Sequence, residues 1–241
     1  MSELSDLLAD PGRPATAMGF AHRGARLEAP ENTIEAFEIA LGAGARGLET
    51  DCWLSADDEV VCVHNSTVTK GLRRRKVRQS TAAELAEFGV PRLADVYRRL
   101  GVDFDFSIDA KHPEVIGSML HVAASAGATD RLWVCHPDLD VLVPWRAQTS
   151  AHLVHSRLRG TIATPIERHA YDLSVAGVEV MNFHHTEWTG GLVSLFHRFG
   201  IKAFAWDAQE VRHLRAMLAI GVDGLYCDRP DRLVATLSEW G

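Results

Sequence analysis

Apolar runs of strand length alternate with longer segments of helical periodicity along almost the whole sequence. Short apolar runs fit buried strands, and apolar residues three and four positions apart fit one face of a helix. The predicted strands are Met18–His22, Arg46–Asp51, Val60–His64, Asp103–Asp109, Leu132–His136, His152–His155, Val178–Asn182, Lys202–Trp206 and Gly224–Cys227. The predicted helices are Thr33–Ala43, Leu93–Leu100, Pro113–Ala126, Leu139–Ala147, Pro165–Val175, Leu192–Phe199, Glu210–Ile220 and Pro230–Leu237.

The third predicted strand does not fit a parallel series. Only the residues from Cys52 to Glu59 separate it from the second strand, whereas a parallel crossover needs about a dozen residues. We therefore predict that Val60–His64 returns antiparallel after a turn near Asp57-Asp58. The other eight strands are each followed by a helix, which predicts an α/β fold: a single (β/α)8 TIM barrel with a β-hairpin excursion after the second strand. One domain is expected over residues 1–241, with residues 1–17 as an N-terminal extension.

Polar residues collect where the predicted strands end. His22 ends the first strand, Glu49 and Asp51 end the second, His64 ends the return arm, and Asp109 ends the next barrel strand. That rim of a barrel is where active sites lie. Carboxylates that point inward together repel each other unless they are paired. A hard divalent cation, Mg²⁺ or Ca²⁺, would relieve that repulsion, and the two histidines would remain for proton transfer.

Simpler interpretations stay open for the same residues. Glu49 and Asp51 can instead pair with arginines in a structural network, because buried charges are usually paired. Asp109 and Lys111 can form an ordinary surface pair. His22 by itself fits a hydrogen-bonded core histidine.

The combination of motifs at these positions resembles the glycerophosphodiester phosphodiesterase family. The first half carries His22-Arg23-Gly24, Pro30-Glu31-Asn32-Thr33, Ala36-Phe37, Glu49-x-Asp51 and His64. The second half carries Val90-Pro91-x-Leu93, Ile108-x-x-Lys111, Trp206, Gly221-Val222-Asp223-Gly224 and Asp228-Arg229-Pro230. The resemblance runs from about Phe20 to Leu237.

This resemblance implies a metal-dependent TIM-barrel hydrolase that cleaves a small-molecule glycerophosphodiester to an alcohol and glycerol 3-phosphate. The implied roles are acid/base catalysis for His22 and His64, cation binding for Glu49, Asp51 and Asp109, phosphate contact for Arg23 and Lys111, and contact with the glycerol or the leaving group for Trp206. Similar barrels act on lysophospholipid or sphingolipid diesters, which is an alternative activity. A barrel that has lost activity and only binds a phosphorylated ligand is another.

The sequence departs from the family pattern at several places. Asn65 follows His64 where the family usually has Asp, and a neutral amide stabilises an imidazolium less well than a carboxylate does. Asp109 is one methylene shorter than the usual Glu, and Asp207 follows Trp206 where Thr is common. The departure at Asn65 is what motivates the inactive-barrel alternative.

Composition excludes several other classes of protein. The net charge of −7 argues against a nucleic-acid partner. The four cysteines Cys52, Cys62, Cys135 and Cys227 form no CxxC pair, so free buried thiols are expected. No apolar run approaches the ~20 residues that span a bilayer, and the start of the chain does not resemble a secretory signal. We therefore expect a cytoplasmic protein without stable membrane insertion, whose oligomeric state stays open.

Two further groups of polar residues stand outside the family motifs. Six cationic residues lie between positions 70 and 78: Lys70, Arg73, Arg74, Arg75, Lys76 and Arg78. A solvated loop is the simplest interpretation, and a loop that attracts an anionic substrate or touches anionic lipid headgroups is the alternative. The other group is histidines at or beyond strand ends, namely His136, His155, His184 and His185. Of these, we expect His184 and His185 to shape the leaving-group pocket.

Two local predictions concern helix starts. Asn32 is expected to cap the helix that follows it, with Glu35 three residues later. Asp228-Arg229-Pro230 is expected to be structural, as a strand end followed by a helix start.

Overall fold

A computed structural model describes residues 17–240 of the chain. Its strands are β1 Met18–Ala21, β2 Gly47–Leu54, β3 Val60–Cys62, β4 Thr67–Lys70, β5 Arg73–Lys76, β6 Asp105–Ala110, β7 Leu132–His136, β8 His152–Ser156, β9 Val180–His184, β10 Lys202–Trp206 and β11 Gly224–Cys227. Its α-helices are α1 Ile34–Gly42, α2 Ala82–Ala86, α3 Leu93–Leu100, α4 Val115–Ala126, α5 Leu139–Leu142, α6 Ile166–Ala176, α7 Gly190–Arg198, α8 Val211–Ala219 and α9 Pro230–Trp240.

Eight parallel strands close into a barrel in the order β1-β11-β10-β9-β8-β7-β6-β2, because β1 pairs with both β11 and β2. The helices cover the outside of the sheet. The predicted TIM barrel is therefore confirmed. Of the predicted N-terminal extension, residues 1–16 lie outside the part of the chain that is described.

The predicted excursion is also present. Strand β3 runs antiparallel to β2, with Cys52 opposite Cys62 and Leu54 opposite Val60. The turn lies at residues 55–59, where Asp58 has a φ of 58°. This register confirms the antiparallel return of Val60–His64 that we predicted from a turn near Asp57-Asp58.

Side chains that point inward along the strands fill the barrel with aromatic rings. Phe20, Trp133, Phe204 and Tyr226 share one buried cluster inside the barrel, and the ring centroids of Phe20 and Tyr226 lie 4.9 Å apart. A Cβ atom at Gly224 would stand 2.6 Å from the Phe204 ring, so glycine at that position makes room for the aromatic layer. A filled interior leaves space for a ligand only at the rim.

Several element boundaries differ from the predictions. Strand β2 continues to Leu54, because its last three residues, Cys52–Leu54, pair with β3. The helix predicted over Leu139–Ala147 ends at Leu142 and continues as a 3₁₀ turn that contains Pro144, which has no N–H to donate. Strand β9 lies two residues later than predicted. The short helix α2 was not predicted.

The simplest interpretation of the cationic segment, residues 70–78, was a solvated loop, but most of this segment belongs to a hairpin. Strands β4 and β5 pair as a two-stranded hairpin, with Lys70 opposite Arg73 across the turn Gly71-Leu72. Gly71 has a φ of 59°, the left-handed conformation that a two-residue hairpin turn favours. Turn chemistry therefore outweighed the repulsion between the charges.

All four cysteines are free and buried, as predicted. Between residues 17 and 240, no helix has both the length and the apolar character that a bilayer crossing requires.

Candidate active site

The alternation of side chains along two neighbouring strands produces an acidic cluster at the carboxyl-terminal rim. Glu49 and Asp51 both point into the barrel from β2, and Asp109 is the register partner of Asp51 on β6. One oxygen from each of these carboxylates lies within 4.8 Å of the others. The structure thus brings together the three acidic residues that the family resemblance implied as cation ligands.

Burial makes this cluster electrostatically costly. Removal from water, together with the neighbouring carboxylates Asp51 and Asp109, raises the pKa of Glu49 to about 8. Burial and Asp51 raise the pKa of Asp109 to about 6. Three converging oxygen donors fit a hard divalent cation, because a bound cation stabilises the ionised form of each carboxylate.

Asp51 also has cationic and amide partners. Lys111 Nζ lies 3.2 Å from Asp51 Oδ1, and Arg23 Nε lies 3.3 Å from Asp51 Oδ2. The Asn32 amide donates to Asp51 Oδ2 at 3.1 Å and accepts from Thr50 Oγ1 at 2.7 Å. The alternative of a structural ion-pair network with arginines therefore holds for Asp51. Glu49 and Asp109, in contrast, form no ion pair with an arginine or lysine in residues 17–240.

The prediction that Asn32 caps the first helix is wrong. Thr33 is the N-cap of α1, and its hydroxyl accepts from the N–H of Ala36. Asn32 instead adopts a φ of 59° and is 2% exposed, with its side chain turned toward β2. Adjacent Asn and Thr are both good caps, so sequence could not separate a capping role from a buried one.

A strained turn positions Arg23 over the acidic cluster. Arg23 has a φ of 56°, and its backbone N–H donates to Glu49 Oε2 at 2.9 Å. Its guanidinium donates to Glu31 at 3.1 Å. Gly24 follows with a φ of 76°, and a Cβ atom there would stand 2.7 Å from the backbone of Ala36. The turn therefore requires glycine at position 24, which explains the last residue of the His-Arg-Gly triplet.

His22 stands between two carboxylates. Its Nδ1 donates to Asp228 Oδ1 at 2.6 Å, and its Nε2 lies 3.8 Å from Glu49 Oε2. Burial lowers the pKa of His22, but Glu49 and Asp228 together outweigh it, so that the pKa is raised. Asp228, which was expected to be structural, thus also contacts this imidazole through its carboxylate. Its place one residue beyond β11, level with His22 beyond β1, was the available signal.

His64 returns to the same rim through the backbone. The N–H of Val63 donates to the carbonyl of Asp51 at 2.8 Å, and Trp53 Nε1 donates to the carbonyl of His64 at 3.2 Å. The imidazole Nδ1 lies 3.0 Å from Asn65 Oδ1. Within residues 17–240, the hydrogen-bond partner of this imidazole is Asn65 and not a carboxylate of the cluster.

A cavity of about 490 Å³ opens beside the cluster. It is lined by His22, Arg23, Glu49, Asp109, Ser156, Arg157, Leu158, Asn182, Trp206, Asp207 and Tyr226. Trp206 thus lies across the barrel from the acidic residues, on β10. A ligand in this cavity can contact the acidic edge and the Trp206 side at once.

Asn182 is a cavity residue that sequence reasoning missed. Its Nδ2 donates to Ser156 Oγ at 3.1 Å, while its Oδ1 is buried without a hydrogen-bond partner among the described residues. Such a group costs free energy unless a ligand or water donates to it. Asn182 lies two positions after Val180 on β9, so both side chains point into the barrel. This spacing was the signal that could have identified Asn182.

The other histidines have separate surroundings. His184 lies at the cavity edge, 3.2 Å from Asp207 and with its ring 4.5 Å from that of Trp206. His155 is fully buried and pairs with His169 at 3.1 Å. Of the four candidates, His184 thus contacts two residues that line the cavity, Asp207 and Trp206.

The comparisons with known proteins agree with this geometry. The model of the glycerophosphoryl diester phosphodiesterase family matches residues 22–232. The glycerophosphodiester phosphodiesterase of Bacillus altitudinis is 25% identical over 248 residues, which cover 91% of this chain and 98% of the relative.

Solved structures show the same fold. A glycerophosphodiester phosphodiesterase from Thermotoga maritima superposes with a TM-score of 0.81 at 23% identity, over 92% of this chain and 99% of that one. A phosphodiesterase from Oleispira antarctica, solved with the product sn-glycerol-3-phosphate, also gives a TM-score of 0.81 at 18% identity, over 92% and 97% of the two chains. These structures confirm the fold, and the match of the family model over residues 22–232 confirms the enzyme class predicted from the motifs: the chain belongs to the glycerophosphoryl diester phosphodiesterase family.

Proposed function

We propose that this protein hydrolyses glycerophosphodiesters to an alcohol and glycerol 3-phosphate with a bound divalent cation, Mg²⁺ or Ca²⁺. The observation that carries the proposal is the convergence of Glu49, Asp51 and Asp109 within 4.8 Å, beside His22 and at the edge of a cavity. The relative from Bacillus altitudinis is named for this activity, and the Oleispira antarctica structure holds the corresponding product. Both support the substrate class.

The three carboxylates would hold the cation through oxygen atoms. When bound, the cation polarises the phosphoryl group and stabilises negative charge on its oxygens. Arg23 and Lys111 each lie within 3.3 Å of Asp51 and bring positive charge to the same edge. We assign them to contact the phosphate, for which a guanidinium and an ammonium are suitable donors.

Two imidazoles would transfer protons. Asp228 fixes the Nδ1 side of His22, so that Nε2 is the atom left to exchange a proton. Asn65 accepts from Nδ1 of His64 in the same way. One histidine removes a proton from the nucleophile, which is water or a neighbouring hydroxyl of the substrate, and the other protonates the departing alkoxide.

The opposite side of the cavity suits the alcohol part of the substrate. Asn182 Oδ1 can accept from a hydroxyl group, and the ring of Trp206 offers an apolar surface. We therefore place the glycerol or the leaving alcohol against these two residues. The polar half of the cavity is left to the phosphate.

The direct test is release of glycerol 3-phosphate from glycerophosphocholine, with and without a chelator. The proposal expects activity that a chelator abolishes and that added Mg²⁺ or Ca²⁺ restores. His22→Ala and His64→Ala should each lower kcat by roughly 10²–10⁴-fold, the usual contribution of a general acid or base, while circular dichroism stays unchanged. Near-normal turnover in either variant would contradict the assignment.

Two added measurements separate the alternatives. Faster cleavage of lysophosphatidylcholine than of glycerophosphocholine would indicate a lipid phosphodiesterase. Phosphate-ligand binding without hydrolysis of bis(p-nitrophenyl) phosphate would indicate an inactive barrel. Calorimetric titration of Mg²⁺ and Ca²⁺ into Glu49→Gln, compared with Glu239→Gln as a surface control, tests the cation site without relying on activity.

A further inference from the structure

The cationic hairpin Thr67–Lys76, made of β4 and β5, has two faces with different surroundings. On one face, Arg73 donates to Glu87 at 2.6 Å and stacks over the Phe88 ring at 5.1 Å. Lys70 on the same face donates to the carbonyl of Glu87 at 2.7 Å. This face therefore lies against the body of the protein.

The other face points to solvent. Side chains alternate along a strand, so Arg74 and Lys76 point away from the face that carries Arg73. Arg74 and Lys76 are exposed, whereas Arg75 lies on the Arg73 face, opposite Val68, and is half-exposed. Neither Arg74 nor Lys76 forms an ion pair with another residue in the range 17–240. Their positive charge is thus free to act on an external partner.

The tip of the hairpin is apolar. Leu72 occupies the second position of the turn and is 106% exposed, more than any other large hydrophobic residue that the structure describes. An aliphatic side chain so placed, next to unpaired cations, combines the two features that favour an anionic bilayer surface: charge attraction and transfer of a side chain into the interface.

We propose that the hairpin docks this protein on the surface of an anionic lipid bilayer. Leu72 enters the headgroup layer, while Arg74 and Lys76 contact lipid phosphates. The overall charge of −7 opposes general adhesion to anionic surfaces, so attachment is confined to this local patch. The docking is peripheral and involves no spanning segment.

A lipid surface fits the hairpin better than a nucleic acid does. Segment 67–76 contains no aromatic residue on which a base could stack. Leu72 gains nothing from a phosphate backbone, whereas its partition into a bilayer interface is favourable. The apolar tip therefore decides between two polyanionic partners.

The hairpin is attached near the catalytic rim. Strand β4 begins three residues after His64. Arg78, just beyond β5, lies 2.5 Å from Glu114, which follows β6 and Lys111 at that rim. Docking through the hairpin would consequently hold the mouth of the barrel near the bilayer.

The test is co-sedimentation of the full chain with phosphatidylcholine vesicles with and without phosphatidylserine, at low and high salt. The proposal expects binding that needs phosphatidylserine and weakens with salt. Each cation near a membrane surface is worth roughly a fivefold change in partition, so the double variant R74Q/K76Q should bind roughly 25-fold more weakly. Leu72→Ser, which suits the turn, should lower binding several-fold with its charge unchanged.

The matched control is R99Q/R131Q, which removes the same charge at the opposite end of the barrel, where helices end and strands begin. It should retain near-wild-type binding, with the thermal transition of every variant recorded to show that it folds. Equal loss in the control and the hairpin variant would overturn the proposal. So would equal binding to neutral and anionic vesicles, absence of binding, or tighter binding to single-stranded RNA that Leu72→Ser leaves unchanged.

Discussion

The Nδ1 atom of His22 lies 2.6 Å from Asp228 Oδ1, although 206 positions separate the two residues. Closure of the barrel produces this contact, because β1 and β11 pair with Ala21 opposite Cys227. His22 and Asp228, which directly follow these two strands, therefore lie side by side at the rim. The contact therefore joins one of the two candidate acid/base groups to the last strand of the fold.

Asp228→Asn tests whether this contact serves catalysis. The amide keeps the shape but removes the negative charge and can hold the imidazole in the wrong tautomer. We expect kcat for glycerophosphocholine to fall roughly 100-fold, at the lower end of what an acid/base group contributes. Asp231→Asn, at an exposed position on α9, is the control and should be neutral. Unchanged turnover in Asp228→Asn would return this residue to a structural role.

Asn65→Asp tests the departure from the family pattern. Asn65 Oδ1 already lies 3.0 Å from His64 Nδ1, so the substitution replaces a neutral acceptor with a charged one at the same place. Hydrogen bonds to charged groups are stronger by about 1 kcal/mol, and we expect kcat to rise roughly fivefold. Asn65→Ala should lower kcat. A rise in the Ala variant, or a loss in the Asp variant, would show that the contact does not orient His64.

Asn182→Leu tests the proposed contact with the alcohol part of the substrate. The isosteric apolar side chain removes the acceptor Oδ1 and the donation to Ser156. We expect KM for glycerophosphocholine to rise by about tenfold, as expected for one lost hydrogen bond. Ser156→Ala provides the control for the internal bond. If the two variants raise KM equally, the effect comes from the Asn182–Ser156 bond and not from a substrate hydroxyl.

The buried pair His155 and His169 predicts loss of stability in acid. Burial, followed by the nearby His169, lowers the pKa of His155 to about 4. An unfolded histidine titrates near 6.5, so the unfolded chain binds the proton first as the pH falls. The stabilisation is thus complete above about pH 6.5 and is lost progressively toward pH 4. Between pH 7 and pH 5 it amounts to about 2 kcal/mol.

Denaturant unfolding at both pH values measures this effect. His155→Gln should show a smaller fall in the free energy of unfolding between pH 7 and pH 5, because the titrating group is gone. His121→Gln, on the exposed side of α4, should keep the wild-type fall. An identical pH dependence in His155→Gln would mean that other groups cause the acid instability.

Local pattern was sufficient for the architecture. The alternation of strand and helix periods predicted the eight barrel strands, and the short Cys52–Glu59 spacing predicted that β3 returns antiparallel. These features depend on hydrophobic period and on chain length between elements, which are written in consecutive residues. The cationic hairpin escaped prediction because its charged residues concealed the signal of the Gly71-Leu72 turn.

The rim required the tertiary structure. Glu49, Asp51 and Asp109 could be named from their places at strand ends, but only barrel closure decided that their oxygens meet within 4.8 Å. Asp228 and Asn182 acquired their surroundings from strands far away in sequence. Asn32 does not cap a helix, and its buried amide instead hydrogen-bonds to both Thr50 and Asp51. The order of elements is a property of local sequence, whereas the partner of each polar side chain depends on which distant strands the closed barrel places beside it.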